Sequence, residues 1–191
     1  GNAWQYRFFL PWDAEHLASL FGGAEVLVDA LVEFFEGSVP EDGMLVPGFY
    51  YWHGNEPDIH SARLFSDVGR ADLAQRWVRW IMETKYTGEP DGIDGNDDCG
   101  TLSAWYVFAA LGFYPIPGRT DYLLGSPVFE RATVHLPGGD FVIIAEGASP
   151  ENIYVQSATW RGLALDEPRL QHADLAMGGE LVFVMGPEAS I

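Results

Sequence analysis

Residues 102–124 read LSAWYVFAALGFYPIPGRTDYLL, and the chain changes character within them. Up to Phe113 the apolar side chains Leu102, Trp105, Tyr106, Ala109 and Phe113 recur three or four positions apart, the spacing of one helix face. Gly112 closes that helix, and Pro115-Ile116-Pro117-Gly118 interrupts any regular structure. Beyond it the period shortens toward two. Tyr122-Leu123-Leu124, Ala132 to Leu136, Phe141 to Ala145, Ile153 to Gln156 and Leu181 to Val184 read as β-strands, with Pro137-Gly138-Gly139-Asp140 as a hairpin connection. Before it the helical spacing recurs in Leu17, Leu20 and Phe21, in Val26, Leu27, Ala30, Leu31, Phe34 and Phe35, and in Leu73, Trp77, Trp80 and Ile81. Gly22-Gly23, Gly37, Gly69 and Gly88 mark helix ends. The expected fold is α+β: antiparallel helices joined by long loops over residues 1–117, then a β-strand segment over 118–191. Strands with too few partners leave edges uncovered, so the tail is expected to complete a sheet supplied by another segment or chain.

Composition narrows the function. With 10 Lys and Arg against 28 Asp and Glu, the 191 residues carry a formal net charge of −18. The basic residues are scattered, which excludes a nucleic-acid surface and disfavours an anionic membrane. A hydrophobic fraction of 48% and an aromatic fraction of 14% exclude disorder as the source of the acidity. No apolar run approaches the roughly 18 residues of a membrane span. The opening Gly1-Asn2-Ala3-Trp4-Gln5-Tyr6 lacks the basic and apolar regions of a signal peptide. Cys99 is the one cysteine, which excludes an internal disulfide and a multi-cysteine zinc site.

Three segments could carry chemistry. In Gly48 to Asp58, GFYYWHGNEPD, Asn55 and Glu56 present oxygen atoms of the kind that suit Ca²⁺, and Tyr50, Tyr51, Trp52 and His53 resemble a sugar-stacking platform. The competing reading is a capped helix start with Pro57 in the first turn and helix from about Ile59. The second segment, Glu89 to Asp98, holds five acids and no base and leads into the helix of Ser103 and Trp105. An acid at a helix N-terminus is stabilised by about 0.3–1 kcal/mol, so one of Asp97 and Asp98 is expected to cap that helix and the other to serve as a general base. Its Asp-Gly alternation fails the EF-hand spacing, because Asn96 and Leu102 fall where Gly and Glu are required. The third segment, Asn2 to Asp13, reads more readily as ordinary core with one inward amide than as a site. No Gly-x-Ser-x-Gly, P-loop or dinucleotide fingerprint occurs. His16, His135 and His172 read as surface or core residues, and His60 follows the aromatic loop.

Taken in order, Asn2-Ala3-Trp4-Gln5-Tyr6, His53-Gly54-Asn55-Glu56-Pro57, Gly95 to Gly100, Ser103 to Val107, Ala110 to Pro115, Gly125-Ser126-Pro127 and Asn152 to Ala158 resemble the C-terminal part of glycoside hydrolase family 92. The resemblance implies a calcium-dependent exo-α-mannosidase acting on terminal α-mannose of glycans with inversion, outside the cytoplasm in the extracellular or periplasmic space. It implies the later part of an (α/α)6 toroid followed by strands that complete a β-sandwich, the remaining toroid and the N-terminal β-sandwich being supplied by the rest of the enzyme. By motif position Asp98 matches the general base. Asn96 stands where many members carry an assisting Asp, leaving Asp97 or a water to compensate. Glu56 and Asn55 match the calcium loop, with Asn2 or neighbouring carbonyls as a further donor. Trp4, Trp52, His53 and Glu56 would bind the sugar. The family's general acid is commonly a Glu just before Gly-Asn-Ala-Trp, so residues 1–191 alone are expected to be inactive. A non-catalytic carbohydrate-binding module and another helical-toroid enzyme, such as a polysaccharide lyase or an epimerase with a Tyr or His base, are the alternatives.

Overall fold

The computed structural model describes residues 1–39 and 48–189. The chain forms two compact units, Gly1–Trp105 and Tyr106–Ile191, and the division falls inside the helix Thr101–Leu111.

The first unit is helical: α1 (Ala3–Tyr6), α2 (Ala14–Phe21), α3 (Ala24–Glu36), α4 (Ser61–Asp67), α5 (Ala71–Thr84) and the start of α6 (Thr101–Leu111). Asp13 caps α2 by accepting the His16 amide at 3.0 Å, and the helix stops at Gly22 in the left-handed conformation, φ +96°. The Gly22-Gly23 link to α3 and the short link from α4 to α5 depart from the expected long loops. Among the described residues, the aromatic segment 48–60 precedes α4 and the acidic segment 85–100 lies between α5 and α6, and these carry most of the candidate site.

The helical spacing finds its core. Leu27, Leu31, Phe34 and Phe35 of α3 and Trp77 and Ile81 of α5 are buried, with Phe35 stacked on Trp77 at 5.1 Å and Phe34 tilted against Phe8 at 4.9 Å between ring centroids. Each such fully buried side chain contributes about 1.5–3 kcal/mol. Leu20 and Val26, expected on the same faces, are exposed, because they flank the Gly22-Gly23 turn at the tip of the hairpin. Helix α4 begins at Ser61, later than expected. Tight turns precede it, in which the Asp58 amide donates to the Asn55 carbonyl and the Ser61 amide to that of Asp58, both at 2.8 Å. Pro57 lies in those turns and not in the helix.

The second unit holds two sheets. The strands β1 (Phe113–Pro115), β2 (Asp121–Leu124) and β7 (Arg169–Gln171) form an antiparallel sheet in the order β1-β2-β7. The other strands, β3 (Arg131–Leu136), β4 (Gly139–Glu146), β5 (Tyr154–Trp160), β6 (Leu163–Ala164) and β8 (Gly179–Gly186), form a second in the order β3-β4-β8-β5-β6. The hairpin at Pro137-Gly138 is as the sequence indicates, with Leu136 opposite Gly139. Period two explains the register: Phe141, Ile143 and Ala145 alternate inward opposite Leu181 and Phe183 of β8. Phe113, Leu124 and Leu170 from the three-stranded sheet join them in one core. Helix α7 (His172–Leu175) and strands β1, β6 and β7 are too short for a periodic signal and were not legible in the sequence. His135 lies on the surface, hydrogen-bonded to Asp140 at 2.7 Å.

Candidate functional site

All three chemistry-bearing segments meet in the helical unit. Asn2 and Gln5 form a reciprocal cap on α1: the Trp4 and Gln5 amides donate to Asn2 Oδ1 at 2.8 and 3.2 Å, and the Asn2 amide donates to Gln5 Oε1 at 3.1 Å. The same two side chains then reach the aromatic loop. Asn2 Nδ2 donates to the Phe49 carbonyl at 2.8 Å and Gln5 Nε2 to that of Tyr50 at 2.9 Å. Trp4, fixed on α1, sets its edge against Tyr50 at 5.1 Å and carries the Arg7 guanidinium over its ring at 4.6 Å. Ala3, Trp4 and Arg7 line an open cavity of about 300 Å³, the low end of the range for small-molecule sites.

The aromatic loop is clamped to the acidic loop. Trp52 donates its indole N–H to Asp94 Oδ1 at 3.0 Å, and Gly54 packs directly on the Asp94–Gly95 backbone. A β-carbon on Gly54 would stand 2.3 Å from the Asp94 carbonyl oxygen, so only glycine admits this approach.

At the start of α6 the two adjacent aspartates separate in role. Asp97 Oδ1 accepts the Ser103 amide at 2.8 Å, satisfying a first-turn donor. Asp98 is exposed, and its carboxylate makes no hydrogen bond or ion pair among the described residues. Its backbone, φ +47°, and that of Cys99, φ +60°, are left-handed, a conformation that non-glycine residues keep only where the surroundings impose it. Asn96 is exposed beside them.

The other expected site residues divide. Trp52 is half-buried and Glu56 exposed, both open to a ligand. His53 is fully buried, with Tyr51 Oη on Nδ1 and Tyr86 Oη on Nε2, both at 2.6 Å. Burial, with Lys85 nearby, pushes its imidazole down to about 3, so it is neutral. Both ring nitrogens are taken, which places His53 beneath the platform rather than on a sugar. Likewise the Asn2 side chain is spent on the cap and on Phe49, leaving no amide oxygen for a cation.

Sequence reasoning missed Asp58, whose carboxyl is buried. Oδ2 accepts the Trp52 amide at 3.1 Å and Oδ1 has no partner. Burial pushes this carboxyl up to about 8, against the hydrogen bonds from Trp52 and Asn55. Tyr86 was missed too, while Tyr51 read as part of the aromatic platform and Asp94 only as one of five acids, not as the residues that hold His53 and Trp52. Only Gln5 carried a readable signal, the Asn-x-x-Gln capping pattern.

The donor chemistry around this loop is all oxygen: the Asn55 amide, the Glu56 carboxylate and the orphaned Asp58 Oδ1. That set suits a hard cation, but Ca²⁺ takes six to eight oxygens. Among the described residues no three His, Cys, Asp or Glu side chains gather as a metal group.

Comparison with known proteins supplies the family. The family model described as the glycosyl hydrolase family 92 catalytic domain matches residues 1–187. A family GH92 α-mannosidase of Bacteroides thetaiotaomicron, solved in complex with mannoimidazole, superposes with a TM-score of 0.88 at 34% identity over 100% of this chain and 26% of its own. A family GH92 inverting mannosidase of the same organism gives 0.87 at 33% identity, over 99% of this chain and 28% of its own. An uncharacterized secreted glycosidase of Arthroderma benhamiae is 27% identical over 98% of this chain and 23% of its own length. The chain thus spans about a quarter of the relatives it matches, with the helices-then-sheets order of the GH92 structures. A family match over nearly every residue makes this chain a member of glycosyl hydrolase family 92.

Proposed function

We propose that these residues form part of an exo-acting α-mannosidase that removes terminal α-linked mannose from glycans with inversion, and that Asp98 is its general base. The observation that carries this reading is the division of labour at α6: Asp97 is committed to the Ser103 amide, and the Asp98 carboxylate is left exposed a few residues after the Asp94–Gly95 stretch that packs on the aromatic loop. Asp98 takes a proton from the water that attacks the anomeric carbon, on the face opposite the departing oxygen. A carboxylic acid outside residues 1–191 gives its proton to that oxygen as the glycosidic bond breaks. A separation of roughly 6.5–9.5 Å between the two carboxyl groups leaves room for the water. Trp4 and Trp52 hold the sugar ring; for Trp4 the support is the open cavity that it lines with Ala3 and Arg7, and for Trp52 its partial exposure. Glu56 and Asn55 would hold part of a calcium ion, which when bound would fix sugar hydroxyls and stabilise the oxocarbenium-like transition state. The relatives named above as mannosidases, and one as inverting, support this substrate and outcome. A site of action outside the cytoplasm is supported by the relative described as secreted.

The test is Asp98→Asn in the full-length enzyme, with an aryl α-mannoside and NMR detection of the first anomer released. The expected result is a loss of several orders of magnitude in kcat with ligand binding retained, and β-mannose as the first product of the unaltered enzyme. Near-normal turnover by the variant, or initial α-mannose, would refute the assignment.

A further inference from the structure

Resting on the reading of Asp98 as general base, we propose that Tyr86, acting with His53, is a positioning residue for that base: its hydroxyl ties the aromatic loop to the first turn of α6. Tyr86 Oη donates to the Leu102 carbonyl at 2.9 Å. Its one proton is thereby used, so the contact at 2.6 Å with His53 Nε2 requires the ring to donate and the tyrosine oxygen to accept. His53 Nδ1 then carries no proton and accepts from the Tyr51 hydroxyl at 2.6 Å. The relay Tyr51–His53–Tyr86–Leu102 therefore has one direction and one tautomer.

Its far end lies where the base is held. The Leu102 amide donates to the Asp97 carbonyl at 3.3 Å, and the next amide, of Ser103, donates to the Asp97 carboxylate. Asp98 and Cys99 make their left-handed turn between those contacts and the helix. Tyr86 also pairs with Ile93 in an isolated antiparallel bridge, so the same residue meets the aromatic loop, the acidic loop and the start of the helix. The rings also pack: Tyr86 stacks on Trp105 at 6.0 Å with 10° between planes, and His53 sets its edge on Trp105 at 4.6 Å. A phenylalanine at position 86 would keep that stack. The hydroxyl joins two polar groups, one on each side of the site.

The experiment compares Tyr86→Phe, His53→Gln, the double variant and Asp98→Asn in the full-length enzyme, measuring kcat and KM on an aryl α-mannoside and the thermal midpoint of each. Tyr86→Phe is expected to lower kcat about tenfold, equivalent to about 1.4 kcal/mol, with KM within twofold. His53→Gln is expected to do likewise, and the double variant to be no slower than the worse single one, because both remove the same relay. Normal kcat in Tyr86→Phe beside an inactive Asp98→Asn would overturn the relay and leave the base assignment standing. Multiplying losses in the double variant, or a kcat loss accompanied by an equal rise in KM, would also overturn it. An active Asp98→Asn would instead remove the reading on which the relay rests.

Discussion

Replacing Gly54 by alanine tests whether the contact between the two loops sets the position of Asp98, the proposed base. The new β-carbon would stand 2.3 Å from the Asp94 carbonyl oxygen, 2.8 Å from the Asp94 carbonyl carbon and 3.0 Å from Gly95 Cα. All three are backbone atoms, so no flexible side chain can swing aside. Ordinary van der Waals separation requires the 94–95 segment to retreat by about 1 Å. Overpacking of this kind costs about 1–3 kcal/mol of stability. The consequence for rate is larger, because the displaced backbone runs directly into Asp97 and Asp98, and a catalytic group misplaced by about 1 Å loses on the order of 100-fold. The Trp52–Asp94 hydrogen bond, 3.0 Å long, spans the same contact and should lengthen with it. Gly88→Ala is the matched control: a β-carbon there meets nothing within 4 Å, so activity and stability should hold. The assay is kcat of the full-length enzyme on an aryl α-mannoside, with chemical denaturation of both variants. If Gly54→Ala turned over as fast as Gly88→Ala, the loop contact would have no part in placing the base.

Asp97→Ala should cost about 1 kcal/mol in urea denaturation by orphaning the Ser103 amide, and Asp97→Asn, which keeps an acceptor, should recover most of it; equal losses would show that the carboxylate is not acting as a cap. Acid should weaken the helical unit through His60, whose imidazole donates to the Phe8 carbonyl at 2.9 Å and is pushed by burial down to about 4 from 6.5. Its neutral form is the one folded, so its contribution is complete above pH 6.5 and is lost as pH falls from there toward 4, about 2 kcal/mol of it by pH 5. His60→Gln, which retains a donor, should flatten stability between pH 7 and pH 5, and an unchanged pH slope would exclude His60 as the source.

The elements that bury a periodic face were readable, and the site's assembly was only partly so, for reasons that individual residues make plain. The α3 stripe from Leu27 to Phe35 and the alternation of Phe141, Ile143 and Ala145 declare their partners' side of the element, since burial of that face is what selects the conformation. The Asp97-Asp98 pair is a different case. Sequence says that one acid caps and one does not, but the choice turns on a left-handed Asp98-Cys99 turn with no glycine at either position to announce it. His53 shows the same limit from the other direction: in its own loop, among Tyr50, Tyr51 and Trp52, it reads as a sugar ligand, and it is taken out of reach by Tyr86 and Trp105, which no local pattern connects to it. The groups that bring the loops together are carbonyls, a glycine Cα and an indole N–H, none of them chemically distinctive in a sequence. Motif residues therefore mark where chemistry can happen, while which of them faces the substrate is decided by neighbours without a motif. That is why the proposed relay at Tyr86 and the contact at Gly54, rather than further substitutions within the Asn55-Glu56 motif, are the sharper probes of how the proposed base would be held.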